Sequence, residues 1–121
     1  MFEVKVKNSF AAAHHLLNYN GECENQHGHN WIVEVTLRGE NLDKSGILMD
    51  FKVLKRELRT VLDKLDHKDL NELPQFKDLS PSSETIAKYI YGELKQNLPQ
   101  LCSVAVSETE NSTALYYEEW E

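Results

Sequence analysis

The chain has 121 residues, enough to bury a core as a single domain over 1–121 without disulfide staples, and its two cysteines form no disulfide framework. With 20 acidic and 13 basic residues the net charge is -7, which argues against nucleic-acid binding and against docking on an anionic membrane. Met1 to Phe10 lacks an apolar run of signal-peptide length and no stretch is suited to span a bilayer, so the expected compartment is the cytoplasm.

In chain order, Phe2, Val4 and Val6 alternate with Glu3, Lys5 and Lys7, the pattern of a half-exposed strand. Residues 10–17 read as extended too, with Phe10, Ala12 and His14 on one face. Residues 18–26 are polar and contain glycine, a loop, and 27–38 form a long strand. Gly39 to Gly46 is a turn region, after which Asp50 is a helix N-cap for the stripe Phe51, Leu54, Leu58, Val61, Leu62 and Leu65. Residues 66–79 are irregular. Ser80, Pro81 and Ser82 open a second helix, with proline in its first turn, whose buried stripe is Ile86, Ala87, Ile90, Tyr91, Leu94 and Leu98. Residues 101–108 alternate, with Cys102, Val104, Val106 and Glu108 in phase and Cys102 a small buried hydrophobe; a last strand covers 114–120. Segregated strands and helices indicate an α+β domain: an antiparallel four-stranded sheet with two helices on one face.

The segment from Cys23 to His29 concentrates the chemistry: a thiol, the carboxylate of Glu24, and the imidazoles of His27 and His29. Residues two apart on a strand share a face, so His27 and His29 point the same way as Trp31, Val33, Val35 and Leu37. Such a pair suits a transition metal, zinc first; alone, it also fits two ordinary histidines. His14, in phase with Phe10 and Ala12, supplies a third imidazole if the two strands pair, as sequential strands often do; by itself it is equally an ordinary half-buried histidine. His15 faces the other way. Three protein ligands with one open position is the arrangement of a catalytic zinc. Glu108 ends an inward-facing row, where a carboxylate needs a partner, and a ligand with two adjacent N–H donors satisfies both oxygens; a rim carboxylate in solvent is the alternative. Asp66-His67 closes the first helix, either as an acid/base pair or as a dipole-favoured terminal histidine beside a solvated acid.

These motifs, in this order, resemble the 6-pyruvoyltetrahydropterin synthase family, which includes the 6-carboxytetrahydropterin synthases of queuosine biosynthesis. Phe10 to His14 resembles its first zinc-ligand motif, and Cys23-x-x-x-His27-Gly-His29 the motif of the catalytic cysteine and the other two zinc ligands. Met49-Asp50-Phe51 is similar to the entry of the first helix, Leu65-Asp66-His67 to the catalytic Asp-His pair, Pro81-Ser82-Ser83-Glu84 to the start of the second helix, with serine at 82 for a more usual threonine, and Ser107-Glu108-Thr109 to the pterin-anchoring glutamate.

The resemblance implies a tunnelling fold, in which trimers close a β-barrel and two trimers stack into a homo-hexamer with active sites shared between subunits. It implies the substrate 7,8-dihydroneopterin triphosphate and a Zn2+ held by His14, His27 and His29. In that scheme Glu108 grips the pterin, with Thr109 and Ser82 beside it, Cys23 is the general base, and Asp66 orients His67 for proton transfer. Products include 6-carboxytetrahydropterin, with acetaldehyde and triphosphate lost, or 6-pyruvoyltetrahydropterin by triphosphate elimination. Lys68 is a candidate for the triphosphate. Glu24 also makes the string Glu24-x-x-His27-Gly-His29, similar to a branch of the family that uses glutamate to make 6-hydroxymethyl-7,8-dihydropterin for folate; a dual-function enzyme and an incidental loop carboxylate both fit. A non-catalytic pterin- or metal-binding protein would need neither Cys23 nor Asp66-His67. A structural zinc module would need Cys23 as a fourth ligand.

Overall fold

The computed structural model describes residues 1–20 and 24–119. Cys23, the expected general base, lies outside the described residues. The order is β1 (Phe2–His14), β2 (His27–Gly39), α1 (Phe51–Leu62), β3 (Lys68–Asp69), α2 (Ser83–Lys95), β4 (Leu101–Thr109) and β5 (Ser112–Tyr116).

The sheet runs β3-β1-β2-β4-β5. Its four long strands are antiparallel neighbours, as their alternation predicts. The fifth is an addition: β3 is two residues long and lies parallel to β1 at Ala12 and Ala13. Around it, 66–79 carries two short 3-10 turns, Leu70–Glu72 and Pro74–Phe76, which bury Leu70 and Phe76.

The first two extended segments of the sequence are one strand. β1 pairs with β2 residue for residue from Phe2↔Gly39 to His14↔His27, so no break falls at Asn8 and the strand ends at His14 rather than at Leu17. This register sets His14 directly across from His27. The inward row is Val6, Phe10, Ala12, Trp31, Val33, Val35, Leu37, Val104 and Val106, all buried.

Both helices cover that face. Asp50 caps α1 by accepting the Lys52 amide at 2.8 Å, and Leu54, Leu58, Val61 and Leu62 are buried. Ser82 caps α2, and Ile86, Ala87, Ile90, Tyr91 and Leu94 face the sheet. Pro81 therefore stands one residue before the cap, not in the first helical turn. No helix is long and apolar enough to cross a membrane among the described residues.

Two sequence expectations need correction at the far end of β4. A register shift opposite Thr36 and Leu37 sets Ser103 against Thr36 but Leu101 against Leu37. Such a bulge resets the two-residue period: Leu101 turns into the core, while Cys102 lies half-buried beside Lys5, Arg38 and Ser103 on the opposite face. Cys102 is thus not a core hydrophobe. β5 is also displaced, spanning Ser112–Tyr116 instead of 114–120, because its pairing stops at Tyr116↔Val104, where β4 enters the bulge.

Candidate metal centre and active site

His14 ends β1, His27 and His29 begin β2, and Glu108 lies two residues past Val106 near the end of β4. Strand alternation and the β1–β2 register bring their side chains to the same end of the inward face, and one donor atom from each of the four lies within 4.8 Å of the others. His14 is 2 % exposed, while the other three are partly open to solvent.

The floor of this cluster is Trp31. It is fully buried and donates its indole N–H to the Ala12 carbonyl at 3.3 Å. Phe10 stacks against it, with centroids 6.0 Å apart, and its ring meets those of His14 and His29 edge-on. The imidazoles are braced from below by a ring that offers no metal ligand.

Hydrogen bonds at the outer nitrogens set the inner ones. His14 Nδ1 donates to the Pro81 carbonyl at 2.8 Å, and His27 Nδ1 donates to the Asn25 carbonyl at 2.9 Å. In the neutral rings the proton therefore sits on Nδ1 and the lone pair on Nε2. Yet the two Nε2 atoms are 3.0 Å apart. Two facing lone pairs at that distance repel unless a proton or a cation lies between them.

Glu108 Oε1 sits 2.6 Å from His29 Nε2 and 3.5 Å from both His14 Nε2 and His27 Nε2. Among the described residues, the buried His29 Nε2 nevertheless has no partner in hydrogen-bonding geometry. Three imidazole nitrogens and a carboxylate oxygen gathered together, with the outer nitrogens of His14 and His27 fixed by carbonyls, is the donor set of a zinc or similar transition-metal site. The residues fit such an ion.

Burial pushes the His14 imidazole below its ordinary value of 6.5, which favours the neutral form that ligates metal. The hydrogen bond to the Asn25 carbonyl, foremost, raises His27.

Asp66 and His67 are held by β1. The Ala11 amide donates to Asp66 Oδ1 at 2.9 Å, and the His67 amide donates to the Ala11 carbonyl at 2.6 Å. The first of these bonds is the main reason the Asp66 carboxyl is held below its usual range. Asp66 Oδ2 lies 3.0 Å from His67 Nδ1, the contact expected of an oriented acid/base pair. His67 adopts φ 60°, a left-handed conformation uncommon for a residue with a Cβ, and its side chain is 83 % exposed.

This pair does not join the imidazole cluster of its own chain. His67 lines a groove over the β1 and β2 backbone at Ala12 and His29 and the outward residues Ala11, Ala13, Gly28 and Asn30, together with Lys68 and Asp69. The outward four, Ala11, Ala13, Gly28 and Asn30, alternate with Ala12, His14, His27 and His29, so the groove opens on the other face of the sheet.

Ser82 and Thr109 take local roles. Ser82 Oγ accepts the Thr85 amide at 3.2 Å as the helix cap and donates to Thr85 Oγ1 at 3.0 Å. Thr109 is exposed, and its Oγ1 accepts the Asn111 amide at 3.3 Å. Sequence reasoning passed over the Pro81 and Asn25 carbonyls, which orient two ligands. A main-chain oxygen has no residue signature, so nothing in the sequence pointed to them.

Fold and site together define an α+β domain with a cluster of three histidines and a glutamate, fit to hold a metal ion, at the end of a sheet. The chain matches the family described as 6-pyruvoyl tetrahydropterin synthase over residues 3–119. It is 38% identical over 115 residues to the 6-carboxy-5,6,7,8-tetrahydropterin synthase of Synechocystis, covering 90% of this chain and 88% of that one. It is 35% identical over 130 residues to the human 6-pyruvoyl tetrahydrobiopterin synthase, covering 94% of this chain and 90% of that one. The solved structure of the Caenorhabditis elegans 6-pyruvoyl tetrahydropterin synthase superposes with a TM-score of 0.85 at 30% identity, covering 98% and 96% of the two chains. This chain belongs to the 6-pyruvoyl tetrahydropterin synthase family and is an enzyme of that family, built on its tunnelling fold.

Proposed function

We propose that this enzyme is a zinc-dependent lyase that converts 7,8-dihydroneopterin triphosphate to 6-carboxy-5,6,7,8-tetrahydropterin, with loss of acetaldehyde and triphosphate. The observation that carries the reading is the convergence of His14, His27 and His29 at one point, immediately after a cysteine spaced as Cys23-x-x-x-His27-Gly-His29. The compact connections between strands and the retained Cys23 favour the carboxy product and a cytoplasmic role in queuosine synthesis. The 6-pyruvoyltetrahydropterin synthase reaction is the second reading, favoured by the name of the human relative at similar identity.

Zinc, when bound by the three imidazoles, supplies Lewis-acid polarisation to oxygen atoms of the pterin side chain. Glu108 stands at the open side of the cluster and grips the pterin amino group and adjacent ring N–H through both carboxylate oxygens, with Thr109 and Ser82 at the margins. Cys23, as thiolate, removes the side-chain proton. Asp66 holds His67 for proton transfer, and Lys68, beside His67 in the same groove, faces the triphosphate.

The placement of His67 on the opposite sheet face supports an active site completed by a second subunit. Along Phe2–Phe10, β1 has no strand on its outer side, and β5 has none beyond it, among the described residues. Pairing such edges removes an aggregation hazard and closes a barrel of three chains, and two such barrels stack into a hexamer. The face turned away from the helices carries the ion pairs Lys5–Glu34, Lys7–Glu34 and Arg38–Glu3, suited to a polar barrel interior.

The test is product analysis of zinc-loaded protein given 7,8-dihydroneopterin triphosphate, beside Cys23→Ala. Formation of 6-carboxytetrahydropterin that disappears in the variant supports the reading. A different pterin product, or none, refutes it.

A further inference from the structure

Beyond His14 the chain leaves the sheet, and three successive main-chain amides are taken there by side chains of other segments. The His15 amide donates to Asn71 Oδ1 at 2.9 Å, the Leu16 amide to Glu24 Oε1 at 3.1 Å and the Leu17 amide to Ser80 Oγ at 2.7 Å. The first of these stands apart by where it acts. The His15 amide belongs to the peptide joined to His14 itself, a ligand only 2 % exposed. The Asn71 side chain also closes the following peptide, with Nδ2 donating to the His15 carbonyl at 3.0 Å. Turning the amide over would set donor against donor and acceptor against acceptor, so its two partners fix its orientation.

Asn71 is itself anchored against β1. Its own amide donates to Asp69 Oδ1 at 3.1 Å, Asp69 pairs with Ala13, and Leu70 between them is fully buried. Asp66 and His67 are tied to Ala11 of the same strand. The segment 66–71 therefore runs beside the end of β1 and finishes by gripping the peptide that follows His14. Within the sheet, His14 is held by its register with His27 alone. The last residue of a strand frays without an anchor beyond it, and metal–nitrogen bonds of about 2.0–2.1 Å leave little room for drift.

We propose that Asn71 is a positioning residue of the metal centre: through both main-chain polar groups of His15 it fixes the end of β1, and with it the His14 imidazole, opposite His27 and His29. Asn71 acts through His14 and supplies no ligand of its own. The inference rests on the metal centre of the proposed function but not on which pterin is bound or made.

Asn71→Ala removes both bonds. Asn71→Asp keeps the acceptor for the His15 amide but turns an oxygen toward the His15 carbonyl in place of the donor. Both are compared, as full chains, with wild type and with Ile90→Val, a loss of one buried methylene in α2 that controls for general destabilisation. Three quantities are read: Tm, zinc affinity by chelator competition well below Tm, and the visible absorption of the cobalt(II)-loaded protein, which reports ligand geometry. The expected result is that Asn71→Ala binds zinc about tenfold or more weakly, as for groups that orient metal ligands, with an altered cobalt spectrum. Asn71→Asp should also bind zinc more weakly than wild type, while Ile90→Val lowers Tm and keeps affinity and spectrum. An Asn71→Ala protein with reduced Tm but wild-type zinc affinity and cobalt spectrum overturns the proposal, as does an equal loss of zinc affinity in Ile90→Val. Should Asn71→Ala fail to fold, Asn71→Asp decides alone, and unchanged zinc affinity there overturns the proposal. A wild type that binds neither ion overturns the metal centre and this role together, an outcome distinct from one in which wild type binds and the variants match it.

Discussion

His14 and His27 meet Nε2 to Nε2 at 3.0 Å across the first two strands, while carbonyls of Pro81 and Asn25 hold their outer nitrogens. The β1–β2 register imposes the contact by pairing the two residues, and a shared cation would relieve it. His14→Ala should therefore weaken zinc binding by more than the roughly 10–100-fold typical of residues that only orient ligands, with turnover falling alongside. Chelator competition and steady-state kinetics check both, and re-adding zinc should restore the chelated wild type but not the variant at equal zinc.

Glu108 is the fourth donor of the cluster, yet its proposed task is to hold the pterin. If three imidazoles suffice for the metal, Glu108→Ala should retain zinc and raise KM by about 10–100-fold, the range expected on losing hydrogen bonds to a charged group. Loss of zinc from Glu108→Ala would make the carboxylate a structural ligand instead.

Ser82 links helix stability to the site. Its hydroxyl caps α2, and the preceding carbonyl, that of Pro81, orients His14. Ser82→Ala should cost about 1 kcal/mol, visible as a fall of a few degrees in Tm, and should weaken zinc binding modestly. Ser82→Thr, which keeps the capping oxygen, should restore both.

Asp66 supplies a pH signature. Folding lowers its carboxyl below the ordinary value of 3.8, chiefly through the Ala11 amide. The charged form therefore favours the folded state above that value, and the contribution disappears as pH falls through the lower folded-state value. Asp66→Asn keeps an acceptor for Ala11 but carries no charge. Urea midpoints should show wild type the more stable at neutral pH and the difference closing in acid below 3.8. The gap should be small, because the carboxylate is near solvent.

The imidazole cluster was legible because strand alternation is a strict rule: His14, His27, His29 and Glu108 each continue a row of buried apolar residues, so their common face follows from residue number. Cys102 shows where the rule fails, since a bulge shifts the phase without any glycine or proline to announce it. β3 was hidden for a different reason. Two residues carry no period, and the segment is placed by main-chain bonds to Ala11, Ala12 and Ala13. The separation of His67 from the cluster was likewise invisible, because spacing along the chain does not say on which side of a sheet a crossing segment emerges.

A catalytic centre of three histidines keeps an open position for oxygen, whereas a structural site is closed by a fourth protein ligand. X-ray absorption at the zinc edge on the zinc-loaded full chain distinguishes the two. The expected spectrum shows three nitrogen ligands at about 2.0–2.1 Å, completed by oxygen, with no sulfur shell. A sulfur ligand at about 2.3 Å, lost in Cys23→Ala, would contradict it, because Cys23 would then close the coordination sphere and could not act as the base.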